Sequence, residues 1–258
     1  MRNDFIVRCL FTAQFPDVSL KIRNYVSSVY GMEIIRCCVP NWKVEIYEEK
    51  MPAGILRDSW KALPHTAEFA LGDAVWPLCA NCSNIIEECH PDVAVHSLWE
   101  LIDADKNFPY PDASGLQVTI QDCWRLRERK EVQDAVRSLL QKMHISYIEA
   151  KKHYQETDFC GVSLYKPQVA RNPALAPKHD NEGAAGLFLP HTGEEQKQIM
   201  TSYCKQYQTD TLKRGEEVFV PGGNSGGKLR GTICFIEHHM SFSVPQAVEE
   251  IPEIIGRA

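Results

Sequence analysis

Apolar positions along this chain switch between a strand period and a helix period, and the switching predicts a class of fold. Phe5-Ile6-Val7 is a short β-type run that ends at Cys9. Behind it, Val18, Ile22, Val26 and Val29 form the apolar stripe of an amphipathic helix, with Asp17 near its start. Gly31 closes that helix, and Met32-Glu33-Ile34-Ile35 enters a second strand that delivers Cys37-Cys38. Met51-Pro52-Ala53-Gly54 reads as a turn, and a helix is expected from Ser59 toward Leu71, broken by Pro64. Ala74-Val75-Trp76 is a third strand feeding Pro77-Leu78-Cys79-Ala80-Asn81-Cys82, with a helix from Ser83 onward. Asp92-Val93-Ala94-Val95 is strand-like, and Leu98, Leu101 and Ile102 fit a further helix.

Residues 107–115, Asn-Phe-Pro-Tyr-Pro-Asp-Ala-Ser-Gly, are rich in turn formers and read as a linker between two halves, 1–106 and 116–258. The second half restarts the pattern. Leu116 to Ile120 is a strand followed by Cys123; Val132, Val136, Leu139, Leu140 and Met143 mark a long helix; and Ile145 to Ile148 is the next strand. Phe159-Cys160-Gly161 then stands where the first half has its Cys pair, and Cys204 to Tyr207 where it has Cys79 to Cys82. Strands alternating with helices predict an α/β fold with parallel strands. The recurrence predicts two Rossmann-like halves about a pseudo-twofold axis, with a site at the carboxyl ends of the strands between them.

Composition narrows the partners. The 258 residues are 44% hydrophobic and 24% charged, with a net charge of −6 spread along the chain. That balance predicts a globular protein whose partners are small molecules or proteins, not nucleic acid, which calls for clustered Lys and Arg. The first residues are interrupted by charges and lack the apolar core of a signal peptide, and no apolar run is long enough to span a bilayer. A cytoplasmic protein without membrane insertion is therefore expected.

Against that background ten cysteines stand out, at 9, 37, 38, 79, 82, 89, 123, 160, 204 and 234. In a chain expected to be cytoplasmic they point to metal or redox chemistry more than to disulfides. Cys9, Cys37, Cys38, Cys79 and Cys82 come from three places in one half. Soft thiolates in such number select an iron–sulfur cluster or zinc, and a redox dithiol at Cys79 and Cys82 is the lesser reading. Cys89 and Cys234 lie outside the recurrence and read as packing residues.

In these residues the chain resembles the cysteine-rich CCG-domain family, which includes the B subunit of heterodisulfide reductase. That family carries two copies of a Cys, Cys-Cys-Gly, Cys-X-X-Cys pattern, and the resemblance spans about residues 5–210. It implies a noncubane [4Fe-4S] cluster on Cys9, Cys37, Cys38, Cys79 and Cys82, and thiol/disulfide reduction or electron transfer by an oxidoreductase subunit. Two departures stand out. Val39-Pro40 follows the first Cys pair in place of Gly, and the second copy has Phe159 and Tyr207 where the pattern has Cys. Cys123, Cys160 and Cys204 remain there, as candidates for a second cluster, for a zinc site, or for none.

No flavin or nicotinamide fingerprint is present, so electrons would come from an iron–sulfur or flavoprotein partner subunit, with a thiol or disulfide small molecule as substrate. The alternative is a non-catalytic metal-binding or electron-relay subunit, or a zinc-bound or dithiol protein. Other signals carry less. Pro221 to Lys228 imitates a phosphate loop but has Leu229 for the Ser or Thr and a strand after it, so a glycine-rich hairpin is expected. Adjacent His238 and His239 would point to opposite faces of a strand. Arg125, Arg127, Arg129 and Lys130 read as a solvated helix face. The Pro-rich segment from Lys166 to His191 reads as a lid or a docking loop.

Overall fold

The computed structural model describes residues 2–7, 9–39, 44–115, 117–120, 122–149, 153–157 and 174–180. They fall into two compact units that divide between Pro111 and Asp112.

The first unit is a four-stranded, wholly parallel sheet in the order β2-β1-β3-β4, made of β1 (Asn3–Ile6), β2 (Glu33–Ile35), β3 (Ala74–Pro77) and β4 (Ala94–Val95). Phe5 pairs with Ile34 on one side and with Trp76 on the other. Parallel strands need crossovers, and helices supply them. These are α1 (Cys9–Gln14) and α2 (Pro16–Tyr30) between β1 and β2, α3 (Glu45–Glu48) and α4 (Ile55–Lys61) before β3, α5 (Ala80–Cys89) after it, and α6 (Leu98–Ala104) after β4. Burial explains the choice of residues: Phe5, Ile6, Ile35 and Val75 are buried in the sheet, as are Val26, Trp60, Ile86 and Leu98 on the helices over it. The chain leaves β1 toward one side of the sheet and enters β3 on the other. The carboxyl ends of β1 and β3 therefore form a topological switch point, where open α/β sheets place their sites.

The expected strands and the long helices lie close to where the sequence pattern puts them, although α5 begins at Ala80, ahead of the expected Ser83, and Val29, expected on the apolar stripe of α2, is exposed. A separate short helix, α1, precedes α2, and Pro16 opens the second at its first position. The helix expected from Ser59 to Leu71 instead runs Ile55–Lys61, because Trp60 is its buried anchor and Leu63, just before Pro64, is disfavoured in helical geometry.

The second unit pairs β5 (Gln117–Ile120) in parallel with β6 (Ser146–Glu149) across α7 (Lys130–Lys142). The two units share a register. Positions 117 against 3, 120 against 6, 123 against 9, 130 against 16 and 137 against 23 are each 114 apart. These pairs are the bounds of β5 and β1, the cysteine after each strand, the first residue of each crossover helix, and a buried arginine on it. Among the described residues no helix is long and apolar enough to cross a membrane. The expected features at Cys160, Cys204, Cys234, the 221–228 loop and His238-His239, and most of 166–191, lie outside the described residues.

Candidate metal centre

Because all four strands run the same way, whatever follows each of them emerges on one edge of the sheet. Cys9 opens α1 just past β1, Cys37 and Cys38 follow β2, and Cys79 stands at the N-cap of α5 just past β3, with Cys82 in that helix's first turn. The ladder extends beyond the strands and fixes these exits. Val7 donates to the carbonyl of Ile35 at 3.2 Å, and Leu78 to that of Ile6 at 3.1 Å.

The five thiols meet. Cys9 hydrogen-bonds Cys37, Cys37 hydrogen-bonds Cys38, and Cys82 hydrogen-bonds both Cys38 and Cys79. The carbonyl oxygen of Arg36, 3.3 Å from the Cys9 sulfur, is a second acceptor within reach of the single S–H of Cys9. Cys37, Cys38, Cys79 and Cys82 are buried, Cys9 is half-buried, and none is in a disulfide. Residues up to 73 positions apart in sequence (9 against 82) thus form one reduced cluster of sulfur.

Proximity divides the protons unequally. Hydrogen bonds from Cys38 and then Cys9, with smaller help from the Val39 backbone N–H and His65, hold the Cys37 thiol down to about 2 against the opposing effect of burial. Cys9 is pushed well above its ordinary value by its bond to Cys37 and by burial. Cys82 is pushed up by its bonds to Cys38 and Cys79 and by burial. The negative charge among these thiols is thus favoured on Cys37, and protons are favoured on Cys9 and Cys82.

Two residues beside the thiols carry no signal in the sequence. His65 comes from the segment after α4: its carbonyl accepts from Cys37 N–H at 2.8 Å, the carbonyl of Pro64 accepts from Arg36 N–H at 3.0 Å, and its side chain adds to what lowers the Cys37 thiol. Arg36 in turn pairs with the buried Glu48 at 2.5 Å. A lone His and a lone Arg have no diagnostic spacing, so only the fold brings them here.

The donor set suits a soft metal group in its chemistry. Five sulfurs, four of them on buried residues, lie near one another, and His65 Nε2, Asn81 Oδ1 and Arg36 Nε are buried polar atoms with no hydrogen-bond partner. Among the described residues no group of three or more His, Cys, Asp or Glu is arranged to hold a metal ion. The sulfurs stand as hydrogen-bonding neighbours.

The second unit treats its cysteine differently. Cys123 is buried past β5, but the adjacent Asp122 is engaged by Arg137 at 2.8 and 3.0 Å, and Arg137 also reaches Glu149 at 2.6 and 2.7 Å. Burial alone would push the Arg137 guanidinium down, yet its bonds to Glu149 and Asp122 hold it above its ordinary value. Tyr154 lies with its ring 4.0 Å from that guanidinium, and its backbone N–H donates to Asp122 at 2.7 Å. The basic run expected to be a solvated face is not one: Arg125 and Arg129 are buried, and only Lys130 is exposed. Cys89, expected to pack inside, is exposed at the end of α5.

Compared with models of protein families, with curated proteins and with solved structures, the chain matches none.

Proposed function

We propose that this chain is an iron–sulfur redox protein of the heterodisulfide reductase B type, acting in thiol/disulfide reduction or electron transfer. Cys9, Cys37, Cys38, Cys79 and Cys82 would hold one noncubane [4Fe-4S] cluster. The observation that carries this reading is the meeting of five thiols from three parallel strand ends at the switch point of the sheet. Such a cluster, when bound, supplies single electrons and a metal–sulfur position open to exchange with a substrate sulfur.

The chain's own residues supply the rest. Burial of Cys37, Cys38, Cys79 and Cys82 keeps water from the sulfurs, which strengthens every charge interaction among them. The positive end of α5 faces the peptide carrying Cys79 and Cys82 and favours their thiolate forms once the protons leave. Electrons come from an iron–sulfur or flavoprotein partner in the cytoplasm, and a thiol or disulfide small molecule is the substrate.

The common register of the two units supports a further part of the proposal, that they are copies of one β/α half, the second having lost ligands at Phe159 and Tyr207.

Iron, acid-labile sulfide and zinc content of anaerobically purified protein, read with electron paramagnetic resonance, test the reading. About four irons per chain are expected, with the signal lost in Cys38→Ser. Iron near zero after anaerobic reconstitution would overturn the proposal, and zinc alone would leave a zinc-bound or dithiol protein.

A further inference from the structure

Buried polar groups are almost always paired, and the amide of Gln133 in the second unit is an exception. Gln133 lies in the first turn of α7 and is 3% exposed, yet neither its Nε2 nor its Oε1 has a hydrogen-bond partner. Four and eight positions before it stand two buried arginines, Arg129 at the N-cap of α7 and Arg125 in the single turn Trp124–Leu126. At the same register the first unit has Phe11, Phe15 and Ser19, each 114 positions earlier. The backbone is alike: Ser19 N–H donates to the carbonyl of Phe15 at 2.9 Å, as Gln133 N–H does to that of Arg129 at 3.4 Å. The side chains are not. In the first unit the two Phe rings stack at 5.9 Å, Ser19 Oγ meets Thr12 Oγ1 at 2.8 Å, and Pro16 removes the first N–H of α2. Helix α7 begins on Lys130 instead, with no side-chain cap and with cations gathered where the helix dipole is already positive. The carboxylate of that turn, on Glu131, belongs to an exposed residue, while Asp122 is engaged by Arg137 and Asp134 by Lys130 and Tyr154.

We propose that the start of α7 binds the oxyanion of a small molecule, a phosphate ester or a carboxylate, with Arg125, Arg129, the N–H groups of the first turn and the Gln133 amide. Helix side chains lean toward the N-terminus, so the Gln133 amide lies over the turn that Arg129 and Lys130 begin. Guanidinium groups and helix N-termini both favour oxyanions, and Gln133 Nε2 adds a neutral donor. Oε1 of the same amide is an acceptor, so the ligand carries a hydroxyl or N–H beside its anionic group. The helix follows the carboxyl end of β5, where α/β sheets place their ligands. Every group named stands in the second unit, so the site does not depend on the metal centre.

The experiment titrates the full chain with glycerol phosphate and, separately, with glycerate, in a fixed background of sodium chloride. Calorimetry reads the affinity and amide resonances of 15N-labelled protein locate the ligand. Saturable binding of one or both is expected, with shifts at the amides of Lys130 to Gln133, and the tighter ligand identifies the anion as phosphate or carboxylate. Gln133→Leu should bind about tenfold more weakly, the scale of one hydrogen bond to a charged group, and Arg129→Met should also weaken binding. Without ligand, Gln133→Leu should unfold in urea at no lower a midpoint than wild type, because an unpartnered buried amide costs stability that leucine does not. That combination separates a ligand-binding amide from a structural one. No saturable binding of either ligand to wild type would overturn the proposal, and so would wild-type affinity in Gln133→Leu. If Arg129→Met does not fold, Gln133→Leu decides alone.

Discussion

Past β1 the chain places Cys9 among four other thiols, whereas past β5, at the same register, it places Cys123 next to a carboxylate locked into a buried ion pair. The two units share their strand, crossover helix and helix arginine, so the frame does not account for the difference. What differs is the residues that stand at the strand ends. Unit one offers soft, uncharged donors that hydrogen-bond one another, and its helix arginine, Arg23, makes only bonds of 3.2 to 3.4 Å to Ser19 and Ser59 and lies 5.9 Å over Trp60. Unit two puts Asp122 and Glu149 on either side of Arg137 and closes Tyr154 over it. One arrangement of strand and helix thus carries neighbouring thiols at a strand end in the first unit and paired charge in the second.

The largest expected effect separates the strand ends outright. Cys38→Ser or Cys79→Ser should abolish iron binding, because each removes a sulfur from the shared cluster, while Cys123→Ser should leave iron per chain unchanged. Metal analysis of the three variants side by side checks this. A drop in iron in Cys123→Ser would mean that both units hold metal and would erase the contrast.

Next in size is the arginine pair. Arg137→Met leaves Asp122 and Glu149 without their cation, and breaking a buried ion pair by removing one partner costs about 3–5 kcal/mol. Arg23→Met removes a buried cation whose hydrogen bonds are long and go to uncharged oxygens, and burial lowers its pKa. The change there should be about 1 kcal/mol or less. Urea unfolding of both variants measures the difference, and equal losses would show that the two arginines do the same work.

This contrast was only partly legible in the sequence. The strands could be placed because period-two runs such as Phe5-Ile6-Val7 end at chemically distinct residues, and the grouping of Cys9, Cys37, Cys38, Cys79 and Cys82 followed from the affinity of thiolates for soft metals. The ion pair could not be read. Arg137 lies 12 positions from Glu149 and 15 from Asp122, and no helical or strand period links them. The same gap explains Arg125 and Arg129. A run of basic residues is solvated in most contexts, and only the three-dimensional frame turns these two inward. His65 was invisible for a related reason, since its partner Cys37 lies across a backbone clamp that pattern cannot foresee.

A smaller effect concerns pH in metal-free protein. The Cys37 thiol is held low, so below about pH 9 the folded chain binds one proton fewer than the unfolded chain and stability rises with pH. Cys9 and Cys82 are held high, so above about pH 9 the folded chain keeps protons that the unfolded chain loses, and stability falls with pH. Apo-protein stability should therefore peak near the ordinary thiol value, with a rising limb of up to about 1.4 kcal/mol per pH unit. Cys37→Ser should flatten that limb, whereas Cys123→Ser should not. Chemical denaturation across pH, with thiolate absorbance recorded in parallel, reads both limbs.

The smallest effect tests how unit two keeps its strand end closed. Tyr154 sits at φ 53, a left-handed backbone that side chains seldom adopt, and the short turn Tyr154–Glu156 that it opens is followed by Thr157. Thr157 is buried, and its hydroxyl donates to the carbonyl of Asp122 at 3.0 Å. That bond and the Tyr154 N–H to Asp122 tie the segment after β6 to the residue before Cys123, so Thr157→Val removes one of the two ties at nearly constant volume. The loss should be about 1 kcal/mol, the net value of one hydrogen bond, with iron content unchanged. Hydrogen exchange should locate it in the amide of Tyr154, whose protection falls if the segment opens more often. Unchanged protection at Tyr154 would mean that the Arg137 ion pair and the ring above it hold the segment without Thr157, and that charge alone, not the clamp, distinguishes the two strand ends.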